Sequence, residues 1–188
     1  MHRYQSALLR TAVALALGLA SLDAAQAESC KGATPASFKL NGDVKHKATY
    51  ALADLQNFKL DPATPYTPTV LTVSFNTSTG PVTATYTGIP LMDLITVADP
   101  KLNPKQKNDI LRKYVIAHAS DCYEAVVALG EVLPRFENKQ VLVAYADGDG
   151  NPLPDSEGMA HLIVPGDAAG GRSVFHLSRL TVRTAPKK

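Results

Sequence analysis

The clearest structural signal in the chain is the stretch Thr69-Val70-Leu71-Thr72-Val73-Ser74-Phe75. The apolar residues Leu71, Val73 and Phe75 occupy every second position and alternate with a second set, Val70, Thr72 and Ser74. This two-residue period is typical of a β-strand with one buried face. The turn-forming residues 77–80 follow, and after them residues 82–87 are again rich in β-branched side chains. The two runs therefore predict a β-hairpin.

Outward from this hairpin, the sequence predicts short strands and a few short helices. Further strands are predicted at residues 38–40, 114–119, 124–128, 141–146, 161–164 and 174–182. Helices are predicted after Thr49 as the N-cap, from Pro90 as the first helical residue, over 105–112, and as a single turn within 130–136. Strands and helices do not alternate regularly, so we expect an α+β domain of mixed β-sheet.

Composition excludes several classes of protein. The chain has 188 residues, with Lys+Arg 19 against Asp+Glu 17, for a formal charge of +2. This balance excludes a nucleic-acid binder that works by bulk positive charge. The composition is also not that of a disordered, collagenous or coiled-coil chain, and one compact domain is expected.

The first 27 residues have the pattern of a secretory signal peptide. His2, Arg3 and Arg10 make a basic start, residues 11–22 are apolar, and residues 25–27 read Ala-Gln-Ala, a small-x-small cleavage site. The apolar run is too short for a membrane-spanning helix, and no later segment is long enough. We therefore expect a periplasmic or secreted protein without a transmembrane segment in its mature chain.

The mature chain is predicted to consist of a flexible N-terminus (28–36), one domain (37–184) and a short tail (185–188). It contains two cysteines, Cys30 and Cys122. In an exported protein they are expected to form a disulfide. The alternative is a free thiol at Cys122 that serves as a metal ligand or nucleophile.

An acidic cluster resembles the start of a calcium-binding loop. Asp147, Asp149 and Asn151 occupy its first, third and fifth positions. The sixth position, however, is Pro152 where such a loop needs glycine, and the twelfth is Gly158 where it needs glutamate. The sequence therefore predicts a solvent-exposed turn.

A glycine-rich loop at residues 165–172 combines a permissive backbone with one guanidinium. Gly166, Asp167, Gly171 and Arg172 are its candidate ligand-binding residues. Such a loop is suited to an anion such as a phosphate, although it lacks the ending of a nucleotide-binding P-loop. An ordinary turn between two strands is the alternative interpretation.

Three histidines fall on predicted strands. His118, His161 and His176 are candidate metal ligands, and Cys122 follows His118 by four positions. Spacing alone does not tell whether they converge. Half-buried histidines that hydrogen-bond to neighbouring residues are the alternative.

Four segments in order resemble a known family. They are residues 38–43 with Leu52 and Leu55, the run 86–94 (YTGIPLMDL), the run 119–125 (ASDCYEA), and residues 162–167 (LIVPGD) with Gly171-Arg172. Together they are similar to the small exported members of the sulfite-oxidase-type molybdopterin-binding family. The resemblance implies an α+β domain of mixed sheet. In the full enzymes of that family, the domain holds a molybdenum cofactor by its pterin phosphate.

The resemblance also shows where this chain departs from the catalytic members. Their molybdenum-bound cysteine comes from the segment before the YTGIPL run, which here (residues 73–78) contains no cysteine. Cys122 lies where small relatives usually have glycine, and His161 where they tend to have arginine. The hydroxyl of Ser74 is the alternative metal ligand in this segment, but a soft thiolate tunes the electronics of the metal, so the resemblance argues against oxotransfer.

Three functional hypotheses follow. The first is an exported binding module without a cofactor, in which Asp121, Tyr123, His161 and Arg172 receive a small anionic ligand or a membrane-associated protein partner. The second is a molybdopterin-dependent oxidoreductase, or a subunit of one. The third is a haem or copper site built from the histidines or from a reduced Cys122.

Overall fold

The structure, a computed structural model, describes Cys30 and residues 32–186. The predicted signal peptide (1–27) lies outside the described residues, as do parts of the predicted N-terminal segment and tail. None of the helices within the described part of the chain is long and apolar enough to cross a membrane.

Within the described residues, nine β-strands form two sheets. Their bounds are β1 Ser37–Gly42, β2 Ala48–Ala51, β3 Thr69–Thr77, β4 Gly80–Pro90, β5 Lys113–Ala119, β6 Glu124–Ala128, β7 Leu142–Asp147, β8 His161–Ile163 and β9 Leu177–Thr184. One sheet has five strands in the order β2-β1-β9-β5-β6, and the other has four in the order β3-β4-β7-β8. The part of the chain that the structure describes has three α-helices, α1 Leu52–Gln56, α2 Leu91–Ala98 and α3 Leu129–Val132. Short 3₁₀-helices cover Asp109–Arg112 and Gly170–Arg172.

The predicted hairpin is present as β3 and β4, paired from Thr69 opposite Gly88 to Thr77 opposite Gly80. A bulge between Thr87 and Gly88 then shifts the register of β4 against β7. A Cβ on Gly88 would lie 2.3 Å from the carbonyl oxygen of Val143. The bulge therefore needs a residue without a side chain.

The five-stranded sheet is mixed because β1 runs parallel to β9, whereas the other pairs are antiparallel. Alternate residues of its strands point inward, and together with α2 they form the main core. This set includes the fully buried side chains of Phe38, Leu40, Val115, Leu180 and Val182. The expectation of one α+β domain of mixed sheet is confirmed.

Three local predictions were wrong in detail. Thr49 does not cap α1 but lies in β2, and the carboxylate of Asp54 instead accepts the backbone N–H of Ala51 at 2.8 Å. Of the predicted helix 105–112, only the last four residues are helical. The predicted strand 174–182 is interrupted at His176, which has a left-handed φ of 48°, and regular pairing begins at Leu177.

The acidic cluster forms the predicted turn. The carboxylate of Asp147 accepts backbone N–H bonds from Asp149 at 2.9 Å and from Asn151 at 2.8 Å. The hydrogen bond from the Asn151 side chain, together with these backbone bonds, lowers the pKa of Asp147. Because local N–H groups occupy one oxygen of this carboxylate, the cluster is explained as a turn.

Candidate functional site

The glycine-rich loop lies against the end of β3. The backbone N–H of Asn76 donates to the carbonyl of Ala168 at 3.0 Å, and Asn76 forms a bridge with Ala169. A Cβ on Gly170 would lie 2.9 Å from the ring of Phe75, so the absence of a side chain allows the close approach. The fold thus places the loop beside residues 73–78, the segment in which the family resemblance predicts the cysteine of catalytic members.

The turn between β5 and β6 is tied to the same loop. Asp121 accepts the backbone N–H of Tyr123 at 2.9 Å, and the Tyr123 hydroxyl donates to the carbonyl of Gly171. Cys122 between them has a φ of 70° and forms a disulfide with Cys30, so the predicted pairing is present. This disulfide also excludes Cys122 as a free thiol ligand in the oxidised protein.

Between the turn and the loop is an open cavity of about 290 Å³, which we call the turn-loop cavity. It is lined by Ala119, Asp121, Tyr123, Gly170, Ser173 and Phe175. The two aromatic side chains at its rim are half exposed, Tyr123 to 46% and Phe175 to 45%. The cavity therefore combines one carboxylate with accessible aromatic surface.

Arg172 is engaged by two carboxylates. Its Nε and Nη2 donate to Asp167 at 2.8 and 2.7 Å, and its Nη1 donates to Glu131 at 2.9 Å. Lys139 approaches the same carboxylates, at 3.5 Å from Glu131 and 3.9 Å from Asp167. The one guanidinium of the loop is thus already neutralised by internal partners.

The titration behaviour of this cluster follows from the contacts. The hydrogen bonds from Arg172 lower the pKa of Asp167. For Glu131, burial acts in the opposite direction, but the hydrogen bonds from Arg172 and from the backbone of Ala128 lower its pKa overall. The pKa of Arg172 is raised, chiefly by its hydrogen bonds to Asp167. All three groups are therefore charged at neutral pH.

His161 is fully buried at the start of β8. Its Nδ1 lies 2.9 Å from the carboxylate of Glu157, its ring centre is 4.2 Å from that of Phe175, and Tyr86 packs edge-on at 5.6 Å. Burial lowers the pKa of His161, and Glu157 partly opposes this effect. Burial and Glu157 also raise the pKa of Tyr86 to about 12.

The structure separates His118 from the other two histidines that the sequence predicts as metal ligands. His118 lies on the outward face of the five-stranded sheet, where it contacts Glu124 and lies 3.1 Å from the hydroxyl of Thr181. The backbone of His176 instead lies beside the segment that leads into β8, because its N–H donates to the carbonyl of Glu157. Groups of three or more His, Cys, Asp or Glu positioned to hold a metal ion are not found among the described residues.

Several residues at this site carry no sequence signal that would have identified them as candidate site residues. Phe175 and Ser173 line the turn-loop cavity, and Glu131 binds Arg172, yet none of them lies in a motif that pointed to a site. Glu131 comes from α3, 41 positions before Arg172 in the chain, so only the fold brings the two together. Of the candidate ligand-binding residues, Asp121 and Tyr123 line the cavity. The others are not among its lining residues: His161, Gly166, Asp167, Gly171 and Arg172.

Comparisons with known proteins agree with this fold. The family model for the oxidoreductase molybdopterin binding domain matches residues 31–188. Among solved structures, the chain is similar to the sulfane dehydrogenase SoxCD from Paracoccus pantotrophus, with a TM-score of 0.60 and 20% sequence identity. The match covers 78% of this chain and 37% of that chain, so this chain spans little more than a third of that length. A comparison with curated proteins found no match.

Proposed function

Because this chain belongs to the oxidoreductase molybdopterin-binding domain family, we propose that it is a binding module on that fold, which works without redox catalysis and takes a protein partner at the turn-loop cavity. The observation that carries this proposal is the engagement of Arg172. The guanidinium that would hold the phosphate of a cofactor is bonded to Asp167 and Glu131 instead.

The residues present do not fit molybdopterin. A molybdenum-bound thiolate needs a free cysteine, and both cysteines of the chain are in the disulfide. The surroundings of Arg172 also carry no net positive charge, because the carboxylates of Asp167 and Glu131 offset the charges of Arg172 and Lys139. An anionic cofactor phosphate would have to displace these carboxylates, which costs their charge-assisted hydrogen bonds.

The same argument favours a protein partner over a small anion, the other ligand class that the sequence predicts. Asp121 places negative charge in the cavity wall, and Tyr123 and Phe175 expose aromatic surface at its rim. Exposed aromatic side chains around a pocket are typical of protein interfaces, where they act as anchors. We expect the partner to insert an apolar or basic side chain there.

We further propose that the protein acts in the periplasm or outside the cell. The disulfide supports this location, because disulfides persist in oxidising compartments and are rare in the cytosol. We also propose that the protein partner is membrane-associated.

Partner binding is tested by site-specific photo-crosslinking. A photoreactive phenylalanine analogue replaces Tyr123 in the full chain, with the same analogue at Val70 as the control. Val70 is 59% exposed and lies near the start of β3, whereas the glycine-rich loop contacts the end of that strand at Asn76. A discrete adduct from position 123 and none from position 70 would support the proposal. Saturable phosphate binding in calorimetry without any adduct would overturn it in favour of the small anion.

The second candidate, a molybdopterin-dependent oxidoreductase or a subunit of one, is favoured by the family itself. It predicts bound molybdenum. The protein should be purified in its exported form from a host that makes molybdopterin, and its molybdenum content and visible absorbance measured. Near-stoichiometric molybdenum would replace the proposed function with this one, whereas colourless protein without molybdenum agrees with a binding module.

A further inference from the structure

Three buried polar atoms near the turn-loop cavity lack a hydrogen-bond partner among the described residues. They are Oγ of Ser120, Nε2 of His161 and Nδ1 of His176. Their segments are bonded to one another: the backbone N–H of Ser120 donates to His176 at 3.1 Å, and that of Leu177 donates to Ala160 at 3.0 Å. Buried polar atoms are nearly always hydrogen-bonded, so three such atoms on adjoining segments are candidate ligands for one bound species.

The protonation of His161 is set by its carboxylate partner. Since a carboxylate accepts hydrogen bonds, Nδ1 of His161 carries the hydrogen and donates it in a hydrogen bond to Glu157 at 2.9 Å. Nε2 is then an unprotonated, fully buried lone pair. Histidines that bind metals usually have this arrangement, in which the other ring nitrogen donates to a carboxylate. The flanking rings of Phe175 and Tyr86 hold the imidazole in place.

His176 is held next to the same turn. Its backbone N–H donates to the carbonyl of Glu157 at 2.8 Å, and its φ of 48° is a conformation that few side-chain-bearing residues adopt. A Cβ on the neighbouring Gly158 would lie 2.9 Å from Nδ1 of His176, so the glycine makes room for the ring.

We propose that Nε2 of His161 and Nδ1 of His176 bind one divalent transition-metal ion, Zn²⁺ or Cu²⁺, with the hydroxyl of Ser120 and water completing its ligands. Imidazole nitrogen suits both ions. The carboxylate of Glu157 balances part of the added charge through His161. This site goes beyond the proposed function, and neither depends on the other. The competing explanation is one buried water molecule that bonds to the three orphaned atoms.

Metal binding is measured on the full chain after dialysis against a chelator. Isothermal titration with Zn²⁺ and with Cu²⁺ should show one saturable site per chain. His161→Gln and His176→Asn should each weaken binding at least tenfold, and asparagine is chosen because it tolerates a positive φ. His46→Gln is the matched control, since His46 is exposed and lies on a different segment. It should bind like the wild type.

A second measurement needs no variant and therefore does not depend on how a buried substitution folds. Adding Zn²⁺ to ¹⁵N-labelled wild-type protein should shift the imidazole nitrogens of His161 and His176, while those of His118 stay in place. Absence of saturable binding, or binding that survives both substitutions in folded protein, would overturn the metal site and leave a buried water as the occupant.

Discussion

Replacing Arg172 with alanine tests whether the side chain of this residue stabilises the folded protein or binds a ligand. The guanidinium donates to Asp167 and Glu131, and its side chain is 31% exposed. Hydrogen bonds to charged groups contribute about 1.5–3 kcal/mol each, and partial exposure reduces this value by solvent screening. We expect Arg172→Ala to lower the free energy of unfolding by about 2 kcal/mol. For a domain of this size, this corresponds to a fall in Tm of roughly 4–8 °C.

The pH dependence of this loss identifies its cause. Asp167 and Glu131 have lowered pKa values in the folded protein. Their contribution is therefore fully present above the ordinary carboxyl pKa, and it is lost as the pH falls through the folded-state values. The stability difference between wild type and Arg172→Ala should be largest near neutral pH and should shrink below about pH 4.

The assay is urea denaturation followed by circular dichroism at several pH values. Arg135→Ala is the matched control, because it removes the same charge from an exposed arginine. The control should change stability by less than about 0.5 kcal/mol. An Arg172→Ala protein as stable as the control, or a difference that stays constant from pH 7 to pH 3, would refute the reasoning and return Arg172 to the role of an anion ligand.

Two further predictions concern the fold. Gly88→Ala should lower the free energy of unfolding by about 3 kcal/mol or more, because the added Cβ would lie 2.3 Å from the carbonyl oxygen of Val143 at the bulge. Thermal denaturation measures this loss. Gly171→Ala is the control and should destabilise the protein far less, because no atom lies within 4 Å of the position of its Cβ. Replacing Cys30 and Cys122 with serine should lower stability by roughly 4–5 kcal/mol, because the disulfide closes a loop with a sequence separation of 92. Wild-type protein unfolded without reductant should then show no alkylatable thiol, and two thiols would contradict the pairing.

Local patterns predicted the elements of the fold well. The alternation at Leu71, Val73 and Phe75 and the turn at 77–80 are enough to define the hairpin, since its pairing is between neighbours in sequence. The pairing of β1 with β9 has no such signal, because the two strands are far apart in the chain. The strand break at His176 was missed for a similar reason, as only its contacts with Glu157 and Ser120 hold that backbone conformation.

For the site, the sequence identified the segments but not the state of their side chains. The loop at 165–172 and the turn at 119–123 do come together, as their shared resemblance to one family implies. That Arg172 is already neutralised depends on Glu131, which no motif marked. A local sequence pattern shows which side chains a segment contributes to the site. The hydrogen-bond and ion-pair partners of those side chains depend on how distant segments pack together.

The central position of β9 also bears on how the protein folds. This strand, the last of those described, lies between β1 and β5 and hydrogen-bonds to both. Until residues 177–184 have been synthesised, neither neighbour has a partner on that side, and their exposed edges can pair with other chains. Assembly of the five-stranded sheet must therefore wait for the end of translation of this region. We expect a chain truncated before Leu177 to be more sensitive to proteases than the complete chain.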